Sequence, residues 1–283
     1  MSTSIGLRIS QVDSDMGHLP LDLGILRYNL TRVLGDPLVV PPSYAVFDLE
    51  TTGFSPRKNK IWQIGFYLVH NGVPQSGHRG LSFLLKTSKQ DLLANRFEID
   101  RVAEQRMKSF PENIDEATRK AEDYYLHRFR GDEAPVERVD GLREAAGFLE
   151  MCIHNEYPII GHNLAAFDVP FFEAECERVG VEFKFPEANM IDTGMFIKSA
   201  ELGRTVLDTE YYRPMAFYRR IKGQRRRGAY YSLGKFCFEY WRLDLKYGAD
   251  MDRAHDAGYD CWVTSLVLQE LIASALEKQP SDP

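Results

Sequence analysis

The chain has 283 residues, 44% hydrophobic and 27% charged, with a formal net charge of −6. Those proportions suit a globular protein of one large domain or two small ones, with material for a sizeable core. No run approaches the roughly 18 apolar residues of a membrane span, and Met1 to Asp15 lacks the basic start and apolar middle of a secretory signal, so a cytoplasmic protein is expected.

Residues 1–40 read as an N-terminal extension with one helix-like patch around Leu21 to Leu34, stopped by Pro41-Pro42. The sequon Asn29-Leu30-Thr31 stands as chance without an export signal. Tyr44 to Glu50 reads as a strand and Ile61 to His70 as a second, and Asn71-Gly72 is a strong hairpin turn. A third strand follows at about Arg79 to Lys86, completing an antiparallel meander. The stretch from about Gln90 to Asn155 has helical period and high charge, with Pro111 near a helix start and Gly131 near an end.

Pro158 to Gly161 is a short apolar strand. Leu164 to Val179 is an amphipathic helix, with Val169, Phe172, Cys176 and Val179 at helical spacing and Pro170 confined to a first turn. A last strand is expected at Asn189 to Asp192, then helices near Thr193 to Leu202, from Ser232, and from about His255 to Leu276. The four cysteines (Cys152, Cys176, Cys237, Cys261) form no C-x-x-C pair and read as buried free thiols. The stretches around Trp62, Trp241 and Trp262 read as core. The order βββ, helices, β, α, β, α predicts an α/β fold with a mixed sheet flanked by helices.

Three acidic segments stand out. Residues two apart in a strand share a face, so Asp48 and Glu50 point the same way at the carboxyl end of the first strand. Two like charges so placed repel, and a divalent cation reverses that interaction. Asp168 lies early in an amphipathic helix, within the run Gly161-His162-Asn163-Leu164-Ala165-Ala166-Phe167-Asp168. A strand running through a turn into a helix is a common seat for site residues. His255 and Asp260 are five apart, about 140° around a helix, so His255 is placed at or before the first turn with Asp260 on the helix body. Asp252 and Asp256 are rival acids that spacing alone does not exclude.

Phe47-Asp48-Leu49-Glu50-Thr51-Thr52-Gly53 resembles the first motif of the DnaQ-like (DEDD) 3′–5′ exonucleases. His162-Asn163-x3-Phe167-Asp168 resembles their second, and Ala254-His255-Asp256-x3-Asp260 their third, in the order of the family and over residues 44–277. A histidine five residues before the last aspartate marks the histidine branch and favours Asp260 over its rivals. The resemblance implies an RNase H-like mixed five-stranded sheet, antiparallel βββ then parallel strands, flanked by helices. It implies an exonuclease domain over 41–277 with a helical insertion at about 90–155, a basic insertion at about 203–230 and a tail at 278–283.

The implied activity is release of nucleotides from a free nucleic-acid 3′ end, single-stranded DNA foremost. Two divalent cations, Mg²⁺ or Mn²⁺, about 3.5–4 Å apart would serve it. Asp48, Glu50, Asp168 and Asp260 would be the ligands, Asp48 bridging, and His255 the general base, its ordinary pKa near roughly 6.5 suiting it. Thr51 would contact the terminal nucleotide through its backbone, and Asn163 would orient the site or substrate. Between Tyr211 and Gly228 lie seven basic residues, Arg213, Arg219, Arg220, Lys222, Arg225, Arg226 and Arg227, and no acidic one, so the rest of the chain carries −13. That segment reads as phosphate-binding, Arg225 to Arg227 foremost, with Tyr211, Tyr212, Phe217, Tyr218, Tyr230 and Tyr231 as stacking surfaces. A ribonuclease acting on RNA 3′ ends and an accessory module docking to a polymerase or other protein partner are the alternatives. A membrane partner is not expected, and oligomeric state is not legible.

Overall fold

The computed structural model describes residues 21–77, 80–93, 119, 135–186, 188–210, 213–222, 224, 232–233, 237–250 and 253–277. A mixed sheet forms its centre. It comprises β1 (Tyr44–Thr51), β2 (Ile61–His70), β3 (Val73–Pro74), β4 (Leu81–Leu84), β5 (Ile159–Gly161) and β6 (Met190–Asp192), in the spatial order β3-β2-β1-β5-β6. β1 and β2 are antiparallel, and β1, β5 and β6 are parallel neighbours. This is the expected RNase H-like arrangement with one correction: the sheet has six strands rather than five. The expected third strand is β4, paired with Gln63–Phe66, and the extra strand is β3, a two-residue pairing with Val69–His70 directly after the hairpin turn and along the same edge of β2. The intervening Gln75 to Gly80 carries Gly77 and Gly80, the latter at φ +63°, which favours a turn over continued pairing.

The helices are α1 (Leu23–Leu34), α2 (Lys89–Leu93), α3 (Arg138–His154), α4 (Asp168–Val179), α5 (Thr193–Glu201), α6 (Pro214–Ile221), α7 (Phe238–Trp241), α8 (Leu243–Tyr247) and α9 (Ala257–Leu276). They cover both faces of the sheet. Period-2 alternation divides β1 between two cores. Tyr44 and Val46 face α1, α5 and α9, whereas Phe47 and Leu49 face α3 and α4. In the second core Phe172 meets Phe47 edge-on at 5.3 Å between ring centroids and Phe183 at 5.2 Å. Such pairs are worth about 0.5–1.5 kcal/mol beyond their burial.

α9 is apolar on nearly every side because the sheet covers one flank and α1 another. α1 occupies the helix-like patch of the expected extension. Asp22 caps it by accepting from the Ile25 amide at 3.0 Å. Its Asn29 is fully buried, donating to Ser199 Oγ (2.9 Å) and the Arg204 carbonyl (2.8 Å) and accepting from the Val206 amide (2.8 Å). The sequon asparagine is thus a core fastener. Of the expected insertion at 90–155, the last part forms α3 and lies on the sheet through Leu142, Ala145, Ala146 and Leu149. Most of the remainder lies outside the described residues.

A buried ion cluster ties α3 and α4 to the start of β2. Glu175 Oε2 accepts from the Ile61 amide (2.9 Å), while its Oε1 meets Arg178 at 2.6 Å and Arg138 at 3.5 Å. Arg138 closes the loop by donating to the Ile61 carbonyl at 2.8 Å. The four cysteines are buried free thiols, and Trp62, Trp241 and Trp262 are core, as expected. No helix among the described residues is long and apolar enough to cross a membrane.

Candidate active site

Asp48 and Glu50 continue the Tyr44–Val46 row on β1, so the side that is apolar at the start of the strand becomes acidic at its carboxyl end. The row faces the amino-terminal end of α9. Gly65, paired with Asp48 across the ladder, permits that approach. A Cβ there would lie 2.2 Å from the Ala257 carbonyl carbon and 2.6 Å from the Gly258 nitrogen. α9 therefore sits directly on the sheet backbone opposite Asp48. Past a register irregularity between Glu50 and Thr51, the chain turns through Gly53. Asn59 braces the turn, accepting from the Ser55 amide (3.0 Å) and donating to the Thr52 carbonyl (3.1 Å). Thr51 donates its hydroxyl to the Gly53 carbonyl at 2.7 Å.

The second motif departs from the expected helix over Leu164 to Val179. Asn163 takes φ +66°, and its carbonyl accepts from the Ala166 and Phe167 amides. This turn delays α4 until Asp168, which becomes its first residue, with Pro170 in the first turn. Asp168 is 2% exposed and accepts from the Leu49 amide at 3.0 Å, which seats it between Asp48 and Glu50 along the chain. The third motif matches expectation. His255 precedes α9 at φ +69°, and Asp260 lies in the helix's first turn and accepts from the His255 amide at 3.0 Å. His255 Nδ1 is 3.7 Å from Glu50 Oε1, with the imidazole 40% exposed. Ligand atoms of Glu50, His255 and Asp260 lie within 4.8 Å of one another, a group that could hold a metal ion.

The electrostatics show carboxylates crowded together. Asp48 is only partly exposed, and its pKa stands well above the usual carboxylate range, first through burial and then through Asp168, Asp260, Glu50 and Asp256. Burial and the Asp192 charge push Asp168 up as well, against the bond from Leu49. Asp260 is pushed up to about 7 by burial and by Glu50, with His255 opposing. Asp48, Glu50 and Asp260 are partly exposed and Asp168 is buried; acids this close repel one another, and a divalent cation would offset that repulsion. Hard oxygen ligands of this kind fit Mg²⁺ or Mn²⁺.

Two buried polar residues of the site escaped the sequence reading. Asp192, 3% exposed, accepts from the Asn163 (2.9 Å), Ala165 (3.0 Å) and Met195 (3.1 Å) amides, fastening the second-motif turn to the start of α5. Burial raises it to about 6. An acid closing the apolar run Met190-Ile191 repeats the pattern of Asp48 and was the available signal. Gln63 interrupts the apolar row of β2 and reaches the Asp256 side chain and the Ala257 amide. Of the rival acids, Asp256 caps α9 by accepting from the Gly258 and Tyr259 amides, and Asp252 lies outside the described residues.

The basic segment is only partly described. Arg225, Arg226 and Arg227 lie outside the described residues, as do Tyr211, Tyr212, Tyr230 and Tyr231. Phe217, expected as a stacking surface, is buried in the core instead, because α6 turns its apolar side inward. Arg220 is committed to Glu210 at 2.6 Å and to the Thr205 carbonyl at 2.6 Å, so it anchors the segment rather than offering itself to phosphate. Burial, followed by the Asp192 charge, raises the Tyr218 hydroxyl to about 12.

No family model matches the chain. Over 242 residues, 86% of this chain and 12% of the relative, it is 24% identical to the PolC-type DNA polymerase III of Staphylococcus aureus (strain bovine RF122 / ET3-1). Among solved structures, E. coli exonuclease I in complex with a dA16 oligonucleotide is similar at 12% identity and a TM-score of 0.41, over 82% of this chain and 42% of that one. The zinc-bound form of the E. coli exonuclease I–ssDNA complex gives 13%, 0.44, 84% and 41%. The chain thus spans a small part of the polymerase and less than half of exonuclease I. The resemblance to the DnaQ-like exonucleases rests on the chain itself: three acidic motifs in order, on an RNase H-like sheet, meeting at one point.

Proposed function

We propose that this chain is a metal-dependent 3′–5′ exonuclease of the histidine branch, acting on single-stranded DNA. The observation that carries the proposal is the convergence of Asp48, Glu50, Asp168, Asp260 and His255, from three distant segments, at the carboxyl end of β1. Asp48, Glu50, Asp168 and Asp260 would hold two divalent cations, Mg²⁺ or Mn²⁺. Bound there, the ions would polarise the scissile phosphate and stabilise the leaving 3′-oxygen. His255 accepts the proton of the attacking water as the new phosphorus–oxygen bond forms and the bond to the 3′-oxygen breaks. Its imidazole, 40% exposed beside Glu50, has the access this role needs.

Thr51 presents backbone to the terminal nucleotide, Asn163 orients the substrate from its left-handed turn, and Arg225, Arg226 and Arg227 hold phosphates upstream. DNA is the preferred substrate and a polymerase the partner, a reading supported by likeness to a PolC-type DNA polymerase. Four buried free thiols favour a reducing cytoplasm.

The test uses single-stranded DNA and RNA labelled at the 5′ end, incubated with Mg²⁺, with Mn²⁺ or with chelator. The expected result is a ladder shortened from the 3′ end of DNA, only with metal, and abolished by Asp48→Ala. Mononucleotide release by the Asp48→Ala protein, or in chelator, overturns the reading. Equal or faster cutting of RNA reassigns the substrate.

A further inference from the structure

His255 holds a backbone conformation that few non-glycine residues adopt. Its φ of +69° lies in the left-handed region, which persists when the surroundings enforce it. Part of that enforcement is local, through the His255 amide on Asp260 and the Asp256 cap. The rest comes from the sheet. Gln63 sits opposite Glu50 in the β1–β2 ladder and is 6% exposed. Its Oε1 accepts from the Ala257 amide at 3.2 Å, and its Nε2 donates to Asp256 Oδ1 at 3.3 Å and to Ser82 Oγ at 3.1 Å. The polarity is fixed. The Ala257 amide can only donate, and Asp256 Oδ1 already accepts from the Gly258 and Tyr259 amides, so the position needs one acceptor and one donor on a single flat group. Glutamine supplies both; glutamate and leucine do not. Two residues on and on the same face, Gly65 lets the Ala257–Gly258 backbone rest against the strand.

We infer that Gln63 is a positioning residue that sets the turn carrying His255, coupling the strand beside the first motif to the proton-accepting imidazole of the third. The inference rests on the base role proposed above for His255. Gln63→Leu and Gln63→Glu are each expected to lower kcat by tenfold or more, with KM and the metal-induced rise in Tm changed less than twofold. In a His255→Ala background the same changes are expected to cost less than twofold, since no imidazole remains to be positioned.

Equal losses in the wild-type and His255→Ala backgrounds overturn the inference and leave the proposed function standing. Full activity of His255→Ala removes the base role itself, and the inference with it. Hydrogen exchange at the Ala257 and His255 amides gives a readout independent of turnover. A tenfold or greater acceleration in Gln63→Leu supports the link, and unchanged protection overturns it.

Discussion

Removing one carboxylate from the cluster should make the metal-free protein more stable. Asp260 has a pKa of about 7 in the fold against an ordinary 3.8, with burial the leading cause and Glu50 the next. Keeping it ionised above pH 7 therefore costs about 4 kcal/mol at 1.36 kcal/mol per pH unit. Asp260→Asn removes that cost but weakens the charge-assisted bond from the His255 amide, returning about 1 kcal/mol. The net gain is about 3 kcal/mol, or about 6–12 °C in Tm for a domain of this size.

The sign follows from linkage. A carboxyl with a raised folded pKa contributes stability that is fully present below its ordinary value and is lost as pH rises through the folded value. The advantage of Asp260→Asn should thus be near zero at about pH 4, grow between about pH 4 and 7, and level off above. Thermal or urea denaturation in chelator across that range reads it directly. Added Mg²⁺ or Mn²⁺ should then reverse the order, stabilising the wild type by mass action and the variant far less. A variant no more stable than wild type in chelator at about pH 8, or one stabilised equally by metal, refutes the reasoning.

His255→Ala should lower kcat by about 10²–10⁴ while leaving the metal-induced rise in Tm intact; comparable loss of metal response would show the imidazole to be a ligand. Glu175→Ala removes the buried acceptor shared by Arg138, Arg178 and the Ile61 amide, and urea denaturation should show a loss of about 1–3 kcal/mol; a stability equal to wild type would refute the role of this ion cluster. Replacing Arg225, Arg226 and Arg227 with alanine should weaken single-strand binding and reduce the slope of log K against log salt by about 2, at about 0.7 per phosphate contact. An unchanged slope across a salt series, measured by fluorescence anisotropy, would remove those arginines from the substrate path.

The parts of this fold written in local chemistry were legible in the sequence. β1, β2, α5 and α9 fall close to their expected bounds because apolar periodicity and capping residues are short-range signals. The carboxylates were legible because ionised groups beside apolar runs need a reason to be there. Long-range competition was not. Gly77 and Gly80 mark a turn, but nothing near Val73 announces the short pairing before it, since that register is dictated by β2. Nor does the basic run show that Phe217 turns inward while Arg220 finds Glu210 ten residues earlier. α4 starts late because Asp192, from another strand, captures the Asn163 and Ala165 amides. Asp192 and Gln63 each break an apolar strand and could have been flagged by that alone.

α1 closes the flank of α9 that the sheet leaves bare. The working unit is therefore wider than the span between its outermost motifs. A polypeptide started at Tyr44 would retain every proposed ligand and the base, yet present an oily groove where Leu26 and Leu30 belong. Motif-to-motif boundaries would trim away part of the support on which the helix carrying Asp260 rests.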